Sequence, residues 1–495
     1  MKSNKIIIFC LAFLCGMSSV LICLFYYLWS LDLNYPIANP IGDGIGYVAI
    51  AQNIIDNGWI ADSNRFGYLN SESFFTFDHY PLFSEFIHFS IFKIFSFFTQ
   101  NPYLIVNLFF ILTFFLISFF GFLCLRVYGM SNLISFFLAI HYAFLSYHVI
   151  RSTGHLFLTN YSCIPLIMMV VYWFYNNQIS LIAKNQKQQF CLAINKYFIF
   201  SVLIIIYCAG TGFYYGLYSS LLIFLIWFLK SLKEGKFISK NLTIFFVFFG
   251  VYSILFLCIH IPYFSVLTAN KVVPVTRTFH DSFEHSLKLI SLFIPQDSHL
   301  IDQFANISKS WKTSIKEFEN STCYLGILLG FVFVSMIIWI FAKANDYKII
   351  EKISKNFALN SKDIEKISLI SSLSFSSLLF IIAGGLIALS FKFVFLRSNA
   401  RFVVVIAFLC LIALGILVDG LLRKRKLKGL RLFKMILLFV YILSMLDILG
   451  KRDIFNLNAI LISNIINHTL FKADNKKNLS RQIFSSKNKK KKSKK

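Results

Sequence analysis

The sequence predicts an all-α polytopic membrane protein, and three observations carry that prediction. Hydrophobic side chains make up 57% of the 495 residues and charged ones 14%. With a mean hydropathy of +0.70, this is more apolar surface than a water-soluble core can hide. Apolar runs of about 20 residues recur along the chain, each long enough to cross a hydrocarbon core of roughly 30 Å. Helices rather than a barrel follow, because each helix satisfies its own backbone polar groups.

The first element is an apolar run from Ile6 to Leu28, preceded by Lys2 and Lys5. It is long and lacks a small-x-small cleavage site, so it reads as an uncleaved anchor rather than a secretory signal. A polar loop over residues 32–100 follows. Within it, Pro81 to Phe98 is apolar but interrupted by Glu85, His88 and Lys93, the pattern of an interfacial helix. Further crossings are expected at Tyr103–Leu125, Leu133–Val149, Leu156–Tyr175, Tyr197–Ala209, Tyr214–Leu229, Leu242–Ile261, Tyr324–Phe341, Leu369–Leu389, Phe402–Val418 and Met435–Leu449. With the first span the total is about 11 transmembrane helices.

A second long loop covers residues 262–323. It contains Phe283-Glu284-His285-Ser286 and Phe293-Ile294-Pro295-Gln296-Asp297-Ser298-His299, enough for short helices lying on the membrane. The transmembrane domain thus spans 1–450, and 451–495 is a basic tail that reads as disordered.

The formal net charge of +26 does not point to nucleic acid, because most Lys and Arg lie in short links between spans or in the tail. Basic residues favour the links on the N-terminal side by about two to one, which puts the N-terminus in the cytoplasm and both long loops outside it. An odd number of crossings also leaves the basic tail outside, against that bias. The ten cysteines fall singly, mostly inside apolar spans and without a Cys-x-x-Cys pair, so neither a disulfide framework nor a zinc site is indicated.

The first long loop begins with Asn39-Pro40-Ile41-Gly42-Asp43-Gly44-Ile45-Gly46-Tyr47. Tyr47, Ile50, Ala51 and Ile54 recur at helical spacing, and Gly58 ends the pattern. Asp43 therefore stands at or just before a helix N-terminus, where the dipole favours the ionised carboxylate. Such a group at the membrane rim can take a proton from an attacking hydroxyl. A plain helix cap suits the same position. Glu72, Asp78 and Glu85 follow, with Asp78 in Asp78-His79-Tyr80-Pro81. Loop carboxylates can ligate a divalent cation, yet no dense ligand spacing is present and no metal is required.

Cations gather in two other rim segments. Arg151-Ser152-Thr153-Gly154-His155 fills a very short outer link, and Lys392 precedes Arg397-Ser398-Asn399-Ala400-Arg401-Phe402. Guanidinium matches the paired oxygens of a phosphate, and snorkelling to lipid headgroups is the alternative for each segment. Gly210-Thr211-Gly212-Phe213-Tyr214-Tyr215-Gly216 lacks the Lys of a phosphate loop and reads as a turn between packed helices. His141 and His148 share one span without ligand spacing and read as polar packing between helices.

In this order of parts the chain resembles the GT-C superfamily of integral membrane glycosyltransferases, more closely its bacterial polytopic members. The matching features are a first transmembrane helix, then Gly42-Asp43-Gly44 with a helix ending at Gly58-Trp59, and Phe77-Asp78-His79-Tyr80-Pro81. Arg151-Ser152-Thr153-Gly154-His155-Leu156, the Phe283–His299 stretch and Leu396-Arg397-Ser398-Asn399-Ala400-Arg401-Phe402 complete them. The resemblance implies transfer of a sugar from a polyprenyl-phosphate-linked donor to a glycolipid or surface-polysaccharide acceptor. The reaction would run on the extracytoplasmic face of a bacterial inner membrane. In those terms Asp43 is the base or acceptor-orienting residue, Asp78 assists, and Arg151, His155, Arg397 and Arg401 contact the donor phosphate.

Two features depart from the pattern. Gly42-Asp43-Gly44 carries one acid where some members have two, and a short basic tail follows the membrane region where members often carry a soluble domain. Two other readings stay open. A transporter or flippase of lipid-linked sugars predicts ionisable residues near the midplane and inverted repeats. A non-catalytic partner in envelope assembly predicts that Asp43 only caps its helix.

Overall fold

Among the described residues the apolar runs fold into helix, the one open structure that leaves no backbone group unpaired in hydrocarbon. The computed structural model describes residues 2–37, 43–58, 85–184, 190–192, 194–236, 240–269, 284–315, 319–345, 347–382, 398–424 and 427–451. In chain order the helices begin with α1 (Lys2–Cys23, continued by a π-helical turn at Leu24–Leu28), α2 (Asp43–Asn57), α3 (Phe86–Ser96) and α4 (Pro102–Val127). A broken run follows as α5 (Asn132–Ala143), α6 (Ser146–Arg151), α7 (Leu156–Thr159) and α8 (Cys163–Tyr175). After a hairpin come α9 (Lys196–Gly210), α10 (Phe213–Glu234), α11 (Lys240–Ala269) and α12 (Asp302–Ile315). The last helices are α13 (Ile327–Asn345), α14 (Tyr347–Phe357), α15 (Ser361–Ile381), α16 (Val403–Lys424) and α17 (Leu427–Leu449).

Eight of these helical stretches are long and apolar enough to cross a membrane, which makes this a polytopic helical membrane protein. Shorter apolar helices lie among them at Phe86–Ser96, Cys163–Tyr175, Lys196–Gly210 and Leu242–Leu255. Among the described residues an antiparallel hairpin pairs β1 (Ile182–Lys184) with β2 (Phe190–Leu192), Ala183 opposite Cys191, and Leu287 forms an isolated parallel bridge with Ile382.

α16 runs through the middle, and Val403 to Ala413 is buried without interruption. α1 and α17 form the outer wall, where Phe9, Phe13, Met435, Phe439 and Leu443 stay exposed. Exposed apolar side chains in this number suit lipid, not water.

The expected spans 133–149 and 156–175 meet through a bent connection. α5 stops at Ala143, α6 makes little more than a turn, and a 3-10 turn at Ser152–His155 hands over to α7. Pro165 falls in the first turn of α8, where its missing N–H breaks no helical bond. α14 occupies the basic link after α13, for which the sequence reading placed no helix. Ile350 and Ser354 are buried, while Lys348, Lys352 and Lys355 are exposed.

Hydrogen bonds define the two ends of the bundle. At the end away from Asp43, Lys230 Nζ donates to the carbonyls of Phe174 and Tyr175 at 2.8 and 3.0 Å, capping α8. Lys366 Nζ does the same for Tyr128 after α4 at 2.6 Å. Cations at helix C-termini answer both the dipole and the unpaired carbonyls.

At the Asp43 end, the Tyr26 hydroxyl donates to the Gly450 carbonyl at 2.9 Å and Tyr27 donates to Leu449. Lys451 N–H donates to Ser298 O at 2.6 Å, and its ammonium meets Asp302 at 2.7 Å. The last helix therefore ends beside the C-terminal end of the first. Of the tail expected over 451–495, only Lys451 is described.

A buried knot fastens this end. Asp447 accepts from His299 Nε2 at 3.0 Å, Tyr324 Oη at 2.7 Å and Ile327 N–H at 2.7 Å. Ile301 N–H donates to His299 Nδ1 at 3.0 Å, so the ring hydrogen sits on Nε2, facing Asp447.

Candidate functional site

Asp43 is the first residue of α2. Ile50, Ala51 and Ile54 are buried, so the helical spacing read in the sequence is the face that seats α2 on the bundle. Tyr47 packs on Phe157 of α7 with ring centroids 4.5 Å apart. This contact brings the start of α2 over the 3-10 turn at Ser152–His155. There His155 Nδ1 lies 3.2 Å from Asp43 Oδ2, with the Asp43 side chain 67% exposed and His155 27% exposed.

The His155 hydrogen bond is the main cause that holds the Asp43 carboxyl below its ordinary value. Partial burial pushes the other way, and the charges of His155, Arg401 and Arg151 add to the lowering. Asp43 is thus an ionised, solvent-reaching carboxylate that feels two guanidinium groups.

Those two groups meet at one carboxylate. Arg151, at the end of α6, is 1% exposed and pairs with Glu319 Oε2. Arg401, in the 3-10 turn Asn399–Phe402, reaches Glu319 Oε1 at 3.0 Å. Glu319 opens the 3-10 turn Glu319–Thr322, and Arg151 also donates to Thr322 Oγ1 at 3.3 Å. The guanidinium of Arg151 lies over the Tyr147 ring at 5.2 Å and that of Arg401 over Tyr214 at 4.3 Å, cation–π contacts that orient both.

Burial alone pushes Glu319 up, but the two arginine charges and their hydrogen bonds outweigh it and hold its carboxyl well below the usual range. With two cations on one anion, the cluster keeps one unit of positive charge.

Among the described residues, three polar atoms beside this cluster are buried and have no hydrogen-bond partner: Arg401 Nε, His285 Nδ1 and Ser398 Oγ. Their backbones are knit together, since Ala400 N–H donates to His285 O at 3.3 Å and Arg401 N–H to Ser398 O at 3.2 Å. A buried donor or acceptor left unpaired costs about 1–3 kcal/mol, so this rim is not arranged for stability alone.

Behind α2, a polar chain ties α3 to the bundle. His88 Nδ1 stands 2.5 Å from Glu85 Oε2, off the line of a regular hydrogen bond. Its Nε2 lies 3.1 Å from Asn160 Nδ2, and Asn160 Oδ1 accepts from Ser162 at 2.6 Å. Glu85 lies close against Gly212, whose φ of +118° suits glycine; a methyl there would sit 3.0 Å from Glu85 Oε1. The turn at Gly210–Gly216 is thus a close helix-pair contact. His148 contacts Thr113 Oγ1 at 2.8 Å and Ala143 O at 2.7 Å, polar packing inside its span.

Of the residues singled out in the sequence, the fold brings Asp43 to His155 and Arg151 to Arg401. Asp78, Lys392 and Arg397 lie outside the described residues, as does Glu72. Glu319 escaped the sequence reading, and so did the individual roles of His285 and Ser398, although both lie inside segments it flagged. Among the described residues no group of three His, Cys, Asp or Glu side chains is placed to hold a metal ion. No protein-family model, curated protein or solved structure matches this chain.

Proposed function

We propose that the protein is a lipid-carrier-dependent membrane glycosyltransferase of the GT-C kind. It has about eleven crossings and a cytoplasmic N-terminus, and acts on the extracytoplasmic face of a bacterial inner membrane. One observation carries the reading: an ionised carboxylate, Asp43, bonded to His155 at 3.2 Å, shares its end of the bundle with a cationic Arg151–Glu319–Arg401 cluster. That is the charge layout for joining a hydroxyl to a sugar held on a phosphate.

Asp43 accepts the proton of the acceptor hydroxyl while its oxygen bonds to the anomeric carbon. The bond from that carbon to the phosphate oxygen breaks, and the phosphate keeps the electron pair. Arg401, with the excess positive charge of its cluster, stabilises the leaving phosphate, and positioning does much of the rest. Arg151 is sealed behind Glu319 and acts by orienting that carboxylate rather than by touching the donor. Asp78, Arg397 and Lys392 keep their sequence-based roles as helpers at the same rim. The substrates are a polyprenyl-phosphate-linked sugar and a glycan or glycolipid acceptor.

The test is sugar transfer by the full chain in proteoliposomes supplied with a panel of undecaprenyl-phosphate hexoses. Asp43→Asn keeps the shape and removes the base, and the rate should fall about 100-fold or more. A wild-type rate in that variant removes Asp43 from the chemistry, and no transfer by the wild type from any of the donors overturns the reading.

A further inference from the structure

A second site lies at the opposite end of the bundle, between α13 and α15, and is independent of the reading above. A cavity of about 220 Å³ opens there, lined by Trp339, Ile340, Lys343, Ala344, Ser368 and Ser372. Trp339 Nε1 donates to Ser368 Oγ at 3.1 Å, and both residues are buried. Lys343, in the last turn of α13, is exposed.

Three features define what the cavity accepts. First, its polar groups are an ammonium and hydroxyls, which suit an anion with several oxygens. Second, the flank of α15 next to it is greasy: Phe375 and Leu379 follow Ser368 and Ser372 on one face at helical spacing and are both exposed. Third, α14 continues from α13 with Lys348, Lys352 and Lys355 exposed and with Ile349 also exposed beside them. Lysines beside an apolar residue on a short one-sided helix place α14 in the headgroup layer.

The nearby acids among the described residues are already matched. Glu365 pairs with Lys233 and accepts from Tyr175 at 2.9 Å. Glu351 pairs with Lys355 at 2.8 Å and Asp363 with Arg423 at 2.6 Å.

We propose that this cavity binds the headgroup of an anionic phospholipid. Lys343 pairs with the phosphate, Ser372 donates to a second phosphate oxygen, and the Trp339 ring walls the glycerol. The acyl chains run down the apolar flank of α15, over Phe375 and Leu379. A lipid rather than free phosphate is the occupant because the cavity sits beside that flank, at the depth where a helix leaves the hydrocarbon. Basic recesses between membrane helices are where acidic headgroups dock.

The test uses the full chain in POPC nanodiscs containing a minor fraction of POPG, with retained lipid counted by native mass spectrometry. One ammonium at the headgroup level should favour POPG over POPC about fivefold. Lys343→Gln should bring retention to parity, and Lys355→Gln, on a residue already paired with Glu351, should leave it unchanged. No preference in the wild type, or an undiminished preference in K343Q, overturns the proposal. Displacement of POPG by inorganic phosphate makes this a free-anion site and overturns the lipid assignment.

Discussion

Arg401 reaches the Glu319 carboxylate at 3.0 Å from 82 residues further along the chain. Arg151 holds the other oxygen from the opposite side of the sequence, so Glu319 is the common counter-ion of two buried guanidinium groups. Glu319→Gln leaves those cations together without an anion. Breaking a buried pair in this way costs about 3–5 kcal/mol, and thermal unfolding in detergent should show a clearly lower midpoint. An unchanged midpoint would mean that the arginines find water or another anion.

The same carboxylate sets a pH dependence. Its folded value lies below the ordinary glutamate value of about 4.3, so the stability it contributes is complete above that value and is lost as pH falls toward the folded one. The gap in unfolding temperature between wild type and E319Q should therefore be widest near neutral pH and shrink below about pH 4. A gap that grows in acid contradicts the assignment.

His155→Ala removes the main cause that lowers the Asp43 carboxyl. Its value should return toward the ordinary aspartate value of about 3.9, and the acid limb of the transfer rate should move to higher pH. The pair is exposed, so its effect on stability is small, within about 1 kcal/mol. A rate–pH profile identical to wild type would separate His155 from the reaction.

Asp447→Asn tests the knot at the end of α17. Asp447 takes three donors, and an amide there cannot accept all of them with both positions. The expected loss is about 1–3 kcal/mol, with faster amide exchange over residues 296–327 as the local readout. Exchange at the wild-type rate would show that the knot does not hold the second loop.

The sequence and the fold agree where the signal is local. The apolar runs become helices, the interrupted stretch 81–98 contains α3 at Phe86–Ser96, and the spacing of Ile50, Ala51 and Ile54 is the buried face of α2. α14 was also readable, since Ile349, Ile350, Ile353 and Phe357 recur at three- and four-residue spacing among lysines; topology counting absorbed those lysines into a link. Glu319 was not readable. It is one acid in a polar loop, and its importance comes from two arginines, one 168 residues before it and one 82 after. No local pattern encodes such a meeting. The bend between α5 and α8 is similar, because the path of Ser152–His155 depends on what α2 and Glu319 place against it.

Tyr26 and Tyr27 grip the last turn of α17, which makes the first and last helices neighbours at one rim. A reporter enzyme joined directly after Lys451 would therefore emerge into the compartment that Asp43 faces, and one joined ahead of Lys2 into the other. A pair of fusions at these two points reads the orientation of the face that bears Asp43 in living cells, without a purified substrate.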